Sequence, residues 1–390
     1  MAKKPSRTRL RELALERARQ LALPERCDVV VAGGGAAGLV AAISAAEAGA
    51  LTVVLERDLS CGHPLLATGG GRCNFSNRDL LLAHFRNPEL VGEVFGAHPL
   101  DEILGFFADS GLAWAEEDGR LYPRSMQASS VRDVLLARAE RAGVVLGCAR
   151  GVASVEAASE GFELAFSLPG DDGALGKISC SSVVLATGRH ALDLASLGVR
   201  VEETSPVLCP LAATGLDFAA LDGRRAHAEL RLARDGAELF CERGELQFRD
   251  FGISGIVSFD LSRVAQPGDV VTIDLIPELG DEELERLRTQ AGSLVGVLDP
   301  AIASALGDAN PKQLEIRIEG PADPERAQAL RGGIAYDALD GPALELAAAP
   351  GIFACGECVD VDADCGGYNL SWAWLSGMRA GAAAARAAAR

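Results

Sequence analysis

The sequence predicts an α/β fold: a domain built on a parallel sheet, interrupted by an inserted β subdomain with a helical cap. Three observations carry that prediction. A β-branched run at residues 28–32 leads through the glycines of VAGGGAAG (31–38) into an alanine-rich helical stretch. A second run, SSVVLATG (181–188), has the composition of a strand buried on both faces. Between about residues 201 and 334 the pattern changes to alternating apolar runs and then to charged helical stretches, as an insertion does.

The first element is a βαβ unit. Residues 28–32 form its strand, and Gly33, Gly35 and Gly38 give G-x-G-x-x-G. These glycines suit a tight turn, approach of the backbone to a pyrophosphate, and close helix–strand packing. Residues 36–49 then read as a helix, whose first N–H groups face a bound phosphate. Residues 51–55 read as the second strand, ending at Glu56. That acid lies about 20 residues beyond the fingerprint, where a carboxylate accepts adenosine ribose hydroxyls and repels a 2′-phosphate. FAD or NAD, rather than NADP, is the ligand expected at this turn.

Composition narrows the class further. The chain has 390 residues, 48% apolar, which is enough for two or three packed units. Its 37 Lys and Arg against 55 Asp and Glu give a net charge of -18, which disfavours nucleic acid and anionic membrane surfaces as partners. The first 26 residues are the exception, with eight Lys or Arg and three Glu, and they read as an appended basic helix. This stretch has no uninterrupted apolar core, and nothing approaches the roughly 20 apolar residues of a membrane span. A cytoplasmic protein is expected. The ten cysteines follow no secreted-scaffold spacing, and the five histidines follow no metal-ligand spacing, so no metal is expected.

A second glycine cluster, LATGGGRCN (66–74), starts no new βαβ repeat, because neither a β-rich run nor a periodic helix follows it. It reads as a loop whose glycines let backbone press against a ligand, with Arg72 to meet a phosphate or orient the loop and Asn74 and Asn77 for ring or ribose edges. Strand-like runs near residues 152–156, 162–167 and 177–180 precede the ATG strand. Near the C-terminus, a strand leads to Gly356-Glu357, an acidic loop, Gly366-Gly367, and a helix opening at about Tyr368.

GGGAAG, TGGGRCN, GELQFRDFGISG (244–255) and ACGECVDVDADCGGYNLSWAWLSG (354–377) together resemble the BaiN-type family of bacterial NAD(P)/FAD-dependent oxidoreductases, from about Cys27 to the end. The resemblance implies a Rossmann-like FAD-binding domain of the two-dinucleotide flavoprotein type, with an inserted β subdomain and helical cap. It also implies an FAD-dependent oxidoreductase that transfers hydride between reduced flavin and an activated C=C bond of a small organic substrate. NAD(P)H is implied as a transient electron donor, since no second G-x-G-x-x-G βαβ unit is visible.

Residue by residue, the resemblance places Gly33, Gly35, Ala36, Ala37 and Gly38 at the pyrophosphate, and Glu56 with Arg57 at the adenosine ribose. Thr68, Gly69, Gly70, Gly71, Arg72, Cys73 and Asn74 would line the cofactor, together with Thr187 and Gly188. Gly356 and Glu357 would approach the ribityl and pyrophosphate region, and Gly367, Tyr368, Asn369 and Leu370 the pyrimidine edge of the isoalloxazine. A helix N-terminus at that edge stabilises the negative charge of reduced flavin. The family pattern fails after the ATG strand: Arg189 stands where relatives carry a glycine, and the glycine-rich loop that follows there is absent.

The implied domains are a helical extension (1–26), a discontinuous FAD-binding domain (27–200 and 335–390), and an inserted substrate or cap domain (201–334). The insert is expected to be β over about 201–275 and helical over about 276–320, with substrate bound between insert and body. Tyr122, Arg124 and Tyr368 are the catalytic candidates. Arg124 suits a substrate oxygen, while its loop serves equally as a helix cap at Ser129 or Ser130. Two alternatives remain open: a flavin-linked thiol–disulfide reductase using Cys355 and Cys358, and a flavin-binding redox sensor with little catalysis. Sequence does not give the oligomeric state.

Overall fold

The structure is a computed structural model that describes residues 6–390 except 191, 195 and 196. The chain forms two compact units, one of Met1–Thr204 with Arg331–Arg390, the other of Ser205–Leu330.

The first unit opens with α1 (Arg7–Gln20), then β1 (Arg26–Ala32), α2 (Ala36–Glu47) and β2 (Thr52–Leu55). Next come β3 (Ser76–Asn77), α3 (Pro88–Phe95), α4 (Pro99–Asp109), β4 (Trp114–Glu117) and β5 (Arg120–Pro123), with β3, β5 and β4 forming a small sheet. After α5 (Ala128–Arg141) and β6 (Val145–Gly147), β7 (Val152–Ala157) and β8 (Phe162–Leu168) make a meander with β9 (Asp171–Leu185). The sequence suggested two runs where β9 is one continuous strand. Its first half pairs antiparallel with β8 and its second half parallel with β1, so a change of partner was visible as a change of composition. β10 (Val201–Val207) follows.

The second unit is a closed six-stranded barrel. Its strands are β11 (Leu211–Thr214), β12 (Arg225–Arg234), β13 (Ala237–Arg249), β14 (Gly252–Ser254), β15 (Val270–Asp274) and β16 (Leu314–Pro321). Leu230, Leu232, Leu246, Phe248, Val271, Ile273, Ile316 and Ile318 fill its core. Helices α6 (Phe218–Leu221), α7 (Ile256–Leu261), α8 (Asp281–Ala291) and α9 (Pro300–Leu306) decorate it. Two expectations are corrected here. The span 276–320 is not helical throughout: β16 alternates buried and exposed residues over LEIRIEGP and closes the barrel between β15 and β11. The span 201–275 is likewise not all β, since α6 and α7 lie within it.

β17 (Ala329–Ile334) pairs with β10 where the chain returns to the first unit. β18 (Leu339–Asp340), β19 (Glu345–Leu346), β20 (Ile352–Ala354) and α10 (Tyr368–Ala388) complete that unit. The parallel strands lie in the order β6-β2-β1-β9-β20. Numbered along the chain, this is 3-2-1-4-5, so the strand order reverses between β1 and β9. Ligands of such sheets bind outside the carboxyl ends of the strands at that reversal.

Helix α2 is apolar on nearly every side because it is covered on nearly every side. Beyond β1, it meets α10 at backbone distance: a Cβ on Gly377 would stand 2.6 Å from the Ala37 oxygen, and one on Gly381 2.1 Å from that of Ala41. The aromatic core beside α10 is edge-packed, with Phe75–Phe107 and Phe107–Trp374 centroids both at 5.1 Å. α1 is tied down at its C-terminal end. The buried Arg150 guanidinium donates to the carbonyls of Ala18 at 2.7 Å and Leu21 at 2.9 Å, which are unsatisfied within the helix.

Candidate dinucleotide-binding site

The first glycine cluster sits at the carboxyl ends of β1 and β9. Gly33 closes the turn by packing on β9, where a Cβ would come 2.2 Å from the Ala186 oxygen. Gly38 packs back on Gly33, its added Cβ lying 1.9 Å from the Gly33 oxygen. Gly35, at the N-cap of α2, has no atom within 4 Å of the same position. Two glycines of the fingerprint therefore hold the turn together, and the third opens onto space at the N-terminus of α2, beside Ala36 and Ala37. A helix N-terminus with an open backbone approach is what a pyrophosphate requires.

Glu56 is buried at the end of β2. Its Oε2 accepts the Gly34 N–H at 2.6 Å and its Oε1 the Asp58 N–H at 2.7 Å. Each carboxylate oxygen retains acceptor capacity. Arg57 follows on the exposed side. The remaining loops reach the same turn. Gly356 presses on Ala37, with an added Cβ 2.6 Å from the Ala37 Cβ, and is fixed by Ser376 Oγ at its N–H and Trp372 Nε1 at its carbonyl. Gly188 stands next to Glu357, and Glu357 pairs with Arg189 at 3.6 Å. His190, three residues past Thr187, has its pKa lowered by burial and then by the Arg57 charge, which puts this segment beside the β2 end.

The second cluster forms a separate group. Gly69, Gly70 and Gly71 all have positive φ, at 54°, 64° and 86°, a left-handed run that other residues adopt rarely. Thr68 and Cys73 close the loop through the Cys73 N–H to Thr68 carbonyl bond at 3.0 Å. Cys73 is fully buried, and burial pushes its thiol up to about 11. Asn74 carries the informative atom: its Oδ1 is buried and has no hydrogen-bond partner. It lies against Gly367, where an added Cβ would come within 2.9 Å of it. An unpaired buried acceptor costs about 1–3 kcal/mol until a donor reaches it.

Helix α10 joins the two groups. Gly367 caps it beside Asn74, and Gly377 touches Ala37 of the first cluster. Ten residues of helix separate these contacts, about 15 Å at 1.5 Å per residue. The two glycine clusters thus touch one helix at two stations.

Other expected site residues are placed differently. Arg72 is engaged by Glu117 at 3.4 Å and by the ring face of Tyr122 at 4.8 Å. Asn369 spends its amide on the backbone of Ala363, donating at 2.8 Å and accepting at 3.0 Å, so it shapes the acidic loop. Leu370 is half-buried beside it. Tyr368 is buried, with its ring stacked on His84 at 4.3 Å, and His84 Nδ1 lies 2.9 Å from Asp364. This His–Asp–Tyr contact carries no local sequence signal, because His84 lies 280 residues from Asp364. Arg124 is exposed, and its side chain has no partner among the described residues. α5 is capped by neither Ser129 nor Ser130: its N-cap is Gln127 without a side-chain bond, while Ser130 bonds Ser125 at 2.7 Å.

Cys355 and Cys358 are buried, and burial raises both thiols, Cys358 to about 11. The Cys358 S–H donates to the carbonyls of Leu185 and Cys355, both at 3.2 Å. Neutral, buried and hydrogen-bonded thiols of this kind are poor nucleophiles. A polar depression lined by Glu47, Asp109, Arg138, Arg141 and Ala142 lies at the far end of α2 from the glycines, closed by the Arg138–Glu47 ion pair at 2.7 Å. Among the described residues, no helix is long and apolar enough to cross a membrane.

A family model described as the HI0933-like protein Rossmann domain matches residues 27–383. The chain belongs to that family. It is 30% identical to the 3-dehydro-bile acid Δ(4,6)-reductase of Clostridium scindens, over 91% of this chain and 98% of that protein. The BaiN-type resemblance read from the four motifs is thereby confirmed. The chain is also similar to the ribosomal RNA dihydrouridine synthase of Escherichia coli, 26% identical over 90% of this chain and 96% of that one. In fold it resembles the quinol fumarate reductase of Escherichia coli, with a TM-score of 0.52 at 19% identity, covering 93% of this chain and 70% of that one. It also resembles the 3-ketosteroid-Δ4-(5α)-dehydrogenase of Rhodococcus jostii, with a TM-score of 0.50 at 17% identity, covering 94% and 98%. A Rossmann-type domain carrying a barrel subdomain is therefore the fold of this family member.

Proposed function

We propose that the chain is an FAD-dependent oxidoreductase that reduces a carbon–carbon double bond conjugated to a carbonyl in a small organic molecule. The observation that carries the reading is the unpartnered Asn74 oxygen at the N-terminus of α10, one helix span away from the open Gly35 turn. A flavin pyrimidine ring offers an N–H donor for that oxygen, and an FAD pyrophosphate suits the N-terminus of α2. Glu56 would accept ribose hydroxyls, and the first-turn N–H groups of α10 would stabilise charge at the pyrimidine edge. Bound there, FAD supplies hydride exchange with carbon and is recharged by NADH or NADPH.

The relatives support the substrate class. A Δ(4,6)-reductase acts on a double bond of a dehydro-bile acid. Dihydrouridine is uridine whose C5=C6 bond, conjugated to C4=O, has been saturated, so the same bond type is addressed in a ribosomal RNA dihydrouridine synthase. The net charge of -18 favours the small molecule over RNA, because phosphate contacts are supplied by Lys and Arg. Arg124, exposed and unpaired among the described residues, is available to a substrate oxygen. The buried Cys355 and Cys358 argue against the thiol–disulfide alternative. Action in the cytoplasm on a diffusible substrate accords with this reading.

The test is to reduce the flavin-loaded protein anaerobically and add 4-androstene-3,17-dione, a dehydro-bile acid, or a uridine-containing RNA. Reoxidation by an enone at a rate that saturates, with none by RNA, supports the proposal. Reoxidation by RNA alone would replace the substrate class, and inertness to both would remove it.

A further inference from the structure

The fold brings together two thiols that lie 87 positions apart. Cys61 Sγ and Cys148 Sγ are 3.5 Å from each other, Cys61 buried and Cys148 half-buried. Neither belongs to the C-x-x-C that the sequence draws attention to. Cys61 precedes the loop of the second glycine cluster, and Cys148 continues β6. Cys61 also touches the first cluster: a Cβ on Gly34 would stand 2.6 Å from its Sγ, and the Gly62 N–H donates to the Gly34 carbonyl at 2.7 Å.

The two thiols differ in a useful way. Either sulfur can donate across this contact, and the shared bond raises the Cys61 pKa and lowers that of Cys148, so the proton is favoured on Cys61 and the thiolate on Cys148. Burial opposes ionisation at Cys148, as does the Glu56 charge, while Arg150 favours it. Asp58 and Glu56 both hold Cys61 in its protonated form. A partly exposed sulfur with lowered pKa, backed by a buried protonated one, is the arrangement of an attacking and a resolving cysteine.

We infer that Cys61 and Cys148 form a peroxide-oxidisable dithiol at the adenosine end of the dinucleotide site. The Cys148 thiolate attacks one oxygen of hydrogen peroxide, the O–O bond breaks, and Cys148 sulfenic acid and hydroxide result. The Cys61 sulfur then displaces hydroxide from the Cys148 sulfur, and its proton leaves with it as water. Two thiols lose two electrons and two protons to give a disulfide, and one hydrogen peroxide becomes two waters. The sulfurs must close from 3.5 Å to about 2.05 Å, which side-chain rotation and a small loop movement supply. The disulfide would clamp Cys61 beside Gly34 and Glu56. On the FAD reading above, on which this clause alone rests, oxidation changes cofactor affinity.

The experiment treats fully reduced, desalted protein with a small excess of hydrogen peroxide. Free thiols are then alkylated, and the protein is digested without reductant for mass analysis. The expected product is a Cys61–Cys148 linked peptide pair, formed faster than oxidation of the exposed Cys241. In Cys61→Ala the reaction stops at a Cys148 sulfenic acid that dimedone traps; in Cys148→Ser neither the link nor the adduct forms. Oxidation of Cys241 without the linked pair would overturn the inference, as would a Cys355–Cys358 link in its place. These mass readouts need no flavin, so they stand apart from whether FAD binds. For the coupling, FAD is titrated into reduced and disulfide forms: a change in Kd of five-fold or more supports it, and equal Kd values refute it.

Discussion

The Glu56 carboxylate binds the Gly34 N–H at 2.6 Å and, through its other oxygen, the Asp58 N–H at 2.7 Å. One acid thus ties the glycine turn to the end of the neighbouring strand before any ligand arrives. Glu56→Gln leaves one of these N–H groups facing an amide NH2. The expected cost is about 1–3 kcal/mol of stability, from an unpaired buried donor, together with a loss of about ten-fold or more in FAD affinity. Thermal melts and flavin fluorescence titration read the two effects separately; an unchanged affinity would remove Glu56 from the site.

Glycines of one fingerprint should fail differently. Gly38→Ala forces a methyl group against the Gly33 oxygen, 1.9 Å away, and should destabilise the protein by about 1–3 kcal/mol or more as overpacking does. Gly35→Ala meets no protein atom within 4 Å, and its φ of -74° suits alanine. It should fold with an unchanged Tm and bind FAD more weakly. Equal loss of Tm in both variants would show that Gly35 serves packing.

What the sequence made legible follows from locality. The turn from β1 through Glu56 was readable because strand, glycines, helix and acid occur in order within about 30 residues. The start of α10 at Tyr368 was readable because Gly366-Gly367 punctuates it. The Cys61–Cys148 contact, the stacking of Tyr368 on His84 and the Trp374 indole bond to the Phe75 carbonyl join residues far apart in the chain, and neighbouring residues do not announce them. β16 was read as part of a helical region because two real helices precede it, although its own alternation is clear. Asn369 was expected at the cofactor by resemblance, whereas its amide is committed to Ala363.

The acidic loop before α10 contains a fully buried carboxylate. Asp362 is held by the Arg331 guanidinium through bonds of 2.9 and 3.1 Å. Removing the cation takes this ion pair away from a buried charge. Arg331→Met should cost about 3–5 kcal/mol in denaturant unfolding, and the double variant with Asp362→Leu should recover much of that loss. A single variant as stable as the wild type would show that this pair holds nothing.

Buried thiols set the alkaline limit. Burial raises Cys73 and Cys358 to about 11 and Cys180 to about 12, while an unfolded thiol ionises near 8.5. Above that value the unfolded chain has released protons that the folded chain keeps, so stability falls as pH rises. The contribution is fully present below about pH 8.5 and declines by about 1.4 kcal/mol per pH unit for each such thiol up to its folded pKa. Unfolding free energies measured from pH 7.5 to 10.5 should bend downward near 9, and Cys180→Ala should flatten the slope. A slope unaffected by that substitution would assign the alkaline loss to other groups.

The central claim is that the span from Gly35 to Asn74 holds FAD. The direct measurement is the visible spectrum and flavin content of the purified protein, before and after incubation with FAD and desalting. The account predicts one FAD per chain, released on denaturation, and bound more weakly in Asn74→Leu and Gly35→Ala, neither of which lowers the Tm of the FAD-free protein. A colourless protein that retains no added FAD, or one whose FAD content both substitutions leave untouched, would contradict it.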